Sequence, residues 1–377
     1  MLQTVLPVEP LAPVESLESL IREAKEGLSF DRTISRRFVH RASVTEVFLT
    51  DAVVAGSDRF LVGAQLPRNH ALYRPEETGQ CDFMLLVETV RQAGIFLSHR
   101  YHDVPLGHHF IFKALSLRIG DPAALRVGCG PLAVVLDVKV VTPAGGRNPR
   151  RFDARFDMVI EVGGRECARA SAGVVVIDGV RYGRLRQRGR VGETARTTGR
   201  EHGSSGYGTP EYGTSAYGAP GHPASLDGAP GHPASLDGAP GHPASLYGAP
   251  GHPASLYGAP AGADDDRGVL RPVPAAEALT RPPGTREWRL HVDPAHPGYF
   301  EHPSDHVPGM LLLEAFRQAA RQTAGGAALT SLDADFAVFG ELAEAVTVEA
   351  VPAEGGRVRL SATQGARVLA TAVARCA

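Results

Sequence analysis

Apolar residues recur along this chain in two arrangements. Short runs rich in Val, Ile, Leu and Phe, partly alternating with polar residues, predict strands at 44–50, 59–66, 110–119, 132–141, 152–162 and 168–177. The same pattern returns at 287–292, 334–339, 345–351, 357–362 and 367–374. Two longer stretches predict helices: Asp82 to Ser98, apolar on nearly every helical face as expected of a helix wrapped by a sheet, and Pro308 to Thr323. Each half thus runs from strand through one long helix to consecutive strands. That order predicts an α+β fold, with an antiparallel sheet packed on the helix.

The halves also share a register. His70, Tyr73, Met84-Leu85-Leu86, Glu88 and Arg91-Gln92-Ala93 return at one constant offset as His296, Tyr299, Met310-Leu311-Leu312, Glu314 and Arg317-Gln318-Ala319. A gap-free match of this kind predicts an internal duplication. Its polar members are the first candidates for chemistry. Glu88, Arg91 and Gln92, like Glu314, Arg317 and Gln318, fall at i, i+3 and i+4, and so share one face of an otherwise apolar helix. A charge there is costly unless it is paired or faces a wet cavity. The bland alternative is a Glu–Arg pair that only neutralises itself.

Between the halves the composition changes. Gly-His-Pro-Ala-Ser-Leu-(Asp/Tyr)-Gly-Ala-Pro repeats four times from Gly221 to Pro260, within a Gly- and Pro-rich stretch from 203 to 260. Such a stretch has too little apolar mass for a core, and Pro blocks regular ladders, so a disordered linker is expected. Its histidines His222, His232, His242 and His252 are isolated from one another, and Asp264-Asp265-Asp266 is expected to be solvated linker. Arg181, Arg184, Arg186, Arg188 and Arg190 form a basic tail, expected to be a solubilising exit from the last strand. The expected layout is an N-terminal extension (1–34), a first repeat (35–180), tail and linker (181–284) and a second repeat (285–377).

Composition narrows the class. The 377 residues are 43% apolar and 21% charged, with a net charge of −2, as in an ordinary soluble protein. No global field draws the chain to nucleic acid or an anionic membrane, and there is no helix-turn-helix pattern. Neither a signal peptide nor an apolar run of membrane-spanning length is visible, so a cytoplasmic protein is expected. Cys81, Cys129, Cys167 and Cys376 are widely spaced, as for reduced thiols; Cys81 precedes the first helix, whose dipole would favour a thiolate. The histidines lack zinc-site spacing, and neither metal nor cofactor is expected.

The stretch from Tyr299 to Ala315 resembles the active-site segment of hotdog-fold acyl-thioester dehydratases. His302, Pro308-Gly309, Glu314 and Gln318 carry that match, with a shorter His-to-Glu spacing here. Over both halves, roughly 35–180 and 285–375, the chain resembles the A-factor synthase family, which makes γ-butyrolactone autoregulators. The marks are Val39-His40-Arg41, Pro67-Arg68-Asn69-His70 with Tyr73, Glu88-Thr89-Val90-Arg91-Gln92-Ala93-Gly94, His99 and Val104-Pro105-Leu106-Gly107. The second half adds Asp305-His306-Val307-Pro308-Gly309-Met310 with Glu314 and Arg317-Gln318. The decapeptide linker departs from that pattern as an insertion.

The resemblance implies two fused hotdog domains, each a long central helix wrapped by an antiparallel sheet, forming a pseudo-dimer in one chain. Oligomeric state is left open. It also implies transfer of a β-ketoacyl group from an acyl carrier protein thioester to the hydroxyl of dihydroxyacetone phosphate, towards a γ-butyrolactone. For that reaction Glu314, and after it Glu88, is the expected base, as a buried carboxylate of raised pKa. His302, His70 and His296 are further catalytic candidates, although His70 and His296 are equally suited to orienting the loop before each helix. Arg317 and Arg91 are expected to hold the phosphate, with Gln318, Gln92 and Gly309 in substrate contact. His306 and the helix amides are expected to stabilise the oxyanion. An apolar tunnel between sheet and helix is expected for the acyl chain. The alternatives are a 3-hydroxyacyl-thioester dehydratase or thioesterase, and a non-catalytic module that binds an acyl ligand.

Overall fold

A computed structural model describes residues 17–76, 79–143, 147–148, 151–187, 268–273, 284–301 and 303–377. The decapeptide linker, Arg188, Arg190 and His302 lie outside the described residues.

The first repeat runs from β1 (Leu49–Val54) and β2 (Arg59–Leu66) through α2 (Phe83–Tyr101) to β3 (His109–Ile119), β4 (Leu132–Val141), β5 (Arg147–Asn148), β6 (Arg151–Val162) and β7 (Arg165–Ile177), after a leading helix α1 (Leu17–Glu26). A helical segment, α3, follows at residues 179–187. The second repeat has β8 (Leu270–Pro272), β9 (Arg286–Leu290), α4 (Gly309–Thr323), β10 (Leu329–Phe336), β11 (Thr347–Ala353), β12 (Arg357–Gln364) and β13 (Arg367–Cys376).

The described strands form one antiparallel sheet in the order β1-β2-β4-β6-β7-β3-β10-β13-β12-β11-β9-β8, with β5 on β6. The order is a palindrome: each repeat contributes the same strands, and the second is the mirror image of the first in sequence order. The repeats join where β3 pairs with β10, from Arg118 opposite Ser331 to Ala114 opposite Asp335. Ser116 donates a hydrogen bond of 2.6 Å to Asp333 across this seam.

Alternation decides which face of the sheet meets the helix. On β4 the buried residues are Val134, Leu136, Val138 and Val140; on β6 they are Phe152, Ala154, Phe156, Met158 and Ile160. These cover α2, which is buried from Phe83 to Val90 and from Gln92 to His99. The Phe156 ring packs on α2 at Gly94, within van der Waals distance of where a Cβ would stand. This is the two-repeat hotdog architecture that the sequence predicts.

Beyond α1, β5 and β8, which the sequence reading lacks (β8 falls in the stretch expected to be linker), three differences bear on the fold. The run from Val44 begins as a 3-10 turn (Val44–Glu46), because the Ser43 hydroxyl caps the Thr45 N–H; the strand starts only at Leu49. β10 occupies Leu329–Phe336 rather than 334–339, because Leu332 and Ala334 turn inward in alternation with Asp333 and Asp335. The basic tail is not simply a solvated exit: its residues 179–187 are helical and Arg186 is buried.

Candidate active site

Glu88 sits at the centre of α2's polar face and is fully buried. Its Oε1 accepts from Arg41 Nε at 3.0 Å, Arg91 Nη2 at 2.8 Å and Gln92 Nε2 at 2.8 Å, while Oε2 accepts from Arg91 Nε at 2.8 Å. Arg41 also bonds Glu301 of the second repeat at 2.8 Å, and Glu301 accepts from the Ala42 and Ser43 N–H groups. Burial pushes the Glu88 carboxyl upward, but Arg41 and Arg91 outweigh it and hold the pKa at about 2. The raised pKa expected of Glu88 as a base is therefore not what the structure gives: two buried guanidiniums keep it ionised.

The second repeat copies half of this device. Arg317 donates to Glu314 through Nε at 2.8 Å and Nη2 at 2.6 Å, and Gln318 donates to it at 2.7 Å. Glu76 of the first repeat faces the same cluster, 3.1 Å from Arg321 and 3.8 Å from Arg317. Each repeat thus lends a carboxylate to the other's arginine cluster. The glutamines tie down the entering backbone: Gln92 bonds the Glu46 carbonyl and Phe48 N–H, and Gln318 accepts from the Val269 N–H.

A cavity of about 510 Å³ lies between the repeats. Arg41, Arg91 and His40 line it from the first repeat, with His108 and His109 at the start of β3 and Tyr182 from α3. From the second repeat come Tyr299, Glu301, Asp305, His306 and the start of α4 at Pro308, Gly309 and Met310. Glu314, Arg317, Gln92, Gln318, His70 and His296 do not line it. Pro308 is the N-cap of α4 and offers no side-chain hydrogen bond, whereas Asp82 caps α2 by accepting from Met84 N–H at 2.7 Å. The positive end of α4 therefore lacks the side-chain cap that α2 carries.

At that helix start, Asp305 and His306 form a dyad. His306 Nδ1 lies 2.8 Å from Asp305 Oδ1, which also accepts from the Tyr182 hydroxyl at 2.6 Å. Arg186 donates to Asp305 Oδ2 at 3.0 Å and pairs with Glu341 at 2.8 Å. Burial raises the Asp305 pKa, but His306, Tyr182 and Arg186 outweigh it and hold the carboxyl at about 2. An ionised Asp305 accepts from His306 Nδ1–H, and in the neutral ring that tautomer leaves Nε2 as an acceptor, the arrangement an oriented general base needs. Tyr182 stacks flat on His109, with ring centroids 4.0 Å apart, which fixes α3 against the cavity wall.

His70 and His296 are loop organisers. His70 Nδ1 accepts from Leu72 and Tyr73 N–H at 3.1 and 3.0 Å, and its Nε2 meets Glu46 at 3.0 Å. His296 Nδ1 accepts from Gly298 and Tyr299 N–H at 3.1 and 3.2 Å. A ring nitrogen engaged by two backbone donors is not available to carry a substrate proton. Cys81 is buried, and burial with the adjacent Asp82 pushes its thiol pKa upward, opposite to the expected helix-dipole effect. Among the described residues no three His, Cys, Asp or Glu side chains converge as a metal site.

Arg41, Asp305, Tyr182, Arg186 and Glu301 had no assigned role in the sequence reading. Arg41 and Asp305 were marked only as parts of motifs. The signal for Asp305 was its position next to His306, and for Tyr182 and Arg186 their i, i+4 spacing on a short helix.

Among described residues, no helix is long and apolar enough to cross a membrane. The chain is 30% identical over 322 residues to a 2-oxo-3-(phosphooxy)propyl 3-oxoalkanoate synthase of Streptomyces virginiae, covering 85% of this chain and 87% of that one. It is 28% identical over 312 residues to the Streptomyces coelicolor synthase of the same name, covering 82% and 79%. Among solved structures, a putative oleoyl thioesterase from Lactobacillus plantarum superimposes with a TM-score of 0.45 at 13% identity, covering 85% of this chain and 98% of that one. The family model for the A-factor biosynthesis hotdog domain matches residues 23–178 and 271–377, in both repeats, and the chain belongs to that family.

Proposed function

We propose that the inter-repeat cavity transfers a β-ketoacyl group from an acyl carrier protein thioester to the hydroxyl of dihydroxyacetone phosphate, towards a γ-butyrolactone-type signal. The observation that carries this is the Asp305–His306 dyad at the start of a buried helix without a side-chain cap, in one cavity with Arg41 and Arg91. The relatives' name describes the same kind of product, an ester of a 3-oxo acid with a phosphorylated hydroxyketone.

In this reading the base is His306 rather than Glu314 or Glu88. His306 Nε2 takes the acceptor's hydroxyl proton as that oxygen attacks the thioester carbonyl carbon. The new C–O bond forms, and the carbonyl oxygen takes up negative charge beside the Gly309 and Met310 N–H groups at the start of α4. When the C–S bond breaks, the proton passes from His306 to the departing thiolate, leaving the carrier as a free thiol. Asp305 holds the imidazole and stabilises its charged form. Arg41 and Arg91 bind the phosphate, and Glu88 acts as the fixed anion that holds both forks in place. A cytoplasmic setting fits substrates of this kind.

The test is incubation with a β-ketoacyl carrier thioester and dihydroxyacetone phosphate, with mass spectrometry for the phosphorylated ester. His306→Gln should lower the rate by about a hundredfold or more. Thioester hydrolysis or hydration that proceeds equally well without the triose phosphate would replace this reading with the thioesterase or dehydratase one.

A further inference from the structure

The seam between the repeats does not stay closed along its length. β3 begins at His109, but its ladder with β10 ends at Ala114 opposite Asp335. The register of β3 against β7 slips between Phe112 and Ala114. On the other side, the chain beyond Phe336 turns to β13, where the Ala337 and Val338 N–H groups both bond the Leu369 carbonyl. The two segments part, and a cavity of about 440 Å³ lies between them.

This cavity is bounded by four successive residues of β3, Phe110, Ile111, Phe112 and Lys113, the last at the bulge. Phe110 and Ile111 belong to opposite faces of the strand, so residues of both faces of the sheet border the gap. It shares Phe110, Phe112, His306 and Gly309 with the reaction cavity, which places one end beside the dyad and the start of α4. Leu185 and Val338 line it but not the reaction cavity, and are 42% and 51% exposed, large apolar groups left at the surface.

We propose that the acyl chain of the substrate threads this gap between β3 and β10, with its reactive end at His306 and its tail running towards Leu185 and Val338; the proposal rests on the acyltransfer reading. The wall between the two ends is mixed: Val307, Leu312, Phe336 and Phe339 join the β3 phenylalanines, and Lys113, Arg186, Glu341 and Arg367 are its charged members. A saturated chain gains by burial there. Of the charged members, Arg186 is paired with Asp305 and Glu341, and Arg367 with Glu344. Chain length is then set by how far the gap stays open, and Val338 and Leu185 are the specificity-determining residues.

The experiment measures ester formation from a homologous series of β-ketoacyl N-acetylcysteamine thioesters with the full-length protein, its Val338→Trp variant and its Leu185→Trp variant. For the parent protein kcat/KM should rise by up to about fourfold for each methylene that fits. Either tryptophan should lower the ratio of long-chain to short-chain kcat/KM by about tenfold or more, the equivalent of two excluded methylenes. An unchanged ratio in both active variants overturns the tunnel while leaving acyltransfer in place. Loss confined to carrier-bound substrate, with the N-acetylcysteamine series unaffected, also overturns it and assigns the gap to the pantetheine arm. In parallel, saturated fatty acids of increasing length compete with a fluorescent fatty acid for the protein. Length-dependent binding that either tryptophan truncates, without ester formation on any substrate, supports the tunnel and refutes acyltransfer.

Discussion

Replacing Glu88 by Gln removes a fully buried charge whose partners Arg41 and Arg91 border the reaction cavity. The Glu88 carboxylate is 0% exposed and accepts from both Arg41 and Arg91. The folded protein holds its pKa at about 2, against an ordinary glutamate value of 4.5. The folded-state pKa is depressed, so the stabilisation is complete above about pH 4.5 and is lost as pH falls towards 2. A shift of this size corresponds to about 3 kcal/mol at neutral pH. In the Glu88→Gln variant Arg91 loses the carboxylate it is paired with, while Arg41 keeps Glu301. Stranding buried guanidiniums costs about 3–5 kcal/mol, so the two figures agree. Urea titration at pH 7 should show that loss. At about pH 4 the difference should shrink by roughly 1 kcal/mol, as the parent carboxylate begins to hold its proton in the unfolded chain. A difference below about 1 kcal/mol at pH 7, as for an exposed ion pair, would refute the reasoning. So would a difference that does not change between the two pH values.

Asp305→Asn should lower kcat by about a hundredfold or more with little change in KM, because the imidazole loses its orienting acceptor; steady-state kinetics on ester formation decides this. Arg186→Gln should lower kcat through the same carboxylate and alter its pH profile, and Arg186→Lys should restore part of the rate; an unaltered profile would leave Arg186 a purely structural ion pair. Arg91→Gln should raise KM for dihydroxyacetone phosphate by about tenfold or more, whereas Arg317→Gln should lower the melting temperature with little effect on that KM, since Arg317 is buried outside the cavity. Phe156→Ala should cost about 3–5 kcal/mol in urea titration, because its ring packs on Gly94 of α2.

The fold was legible where one physical pressure set the pattern. Burial on nearly all sides made α2 apolar outside its Glu88, Arg91 and Gln92 face, and alternation marked β4, β6 and β12 to within a residue or two. The duplicated register exposed the pseudo-dimer, because both repeats must place the same helix under the same sheet. Legibility failed where residues far apart in sequence decide the outcome. Glu88 and Glu314 look alike locally, yet of the two only Glu88 is paired with Arg41, which helps hold its carboxyl well below the ordinary glutamate value. His70 and His296 stand out by register, and in both repeats Nδ1 accepts from the backbone of the following loop. Arg186 belonged to a run of arginines typical of a solvated tail. Its burial against Asp305 and Glu341 comes from the second repeat, which no local pattern reveals. His108 and His109 belong to no repeated motif, and only the folded start of β3 places them on the cavity.

The most direct test compares ester formation by the parent protein, His306→Gln and Glu314→Gln, with β-ketoacyl carrier thioester and dihydroxyacetone phosphate, normalised to folded protein. The account predicts that the His306 variant loses about a hundredfold or more while the Glu314 variant retains most of its rate. A His306 variant that keeps its rate, with a Glu314 variant that loses it, would contradict the account and place the base on the buried helix face.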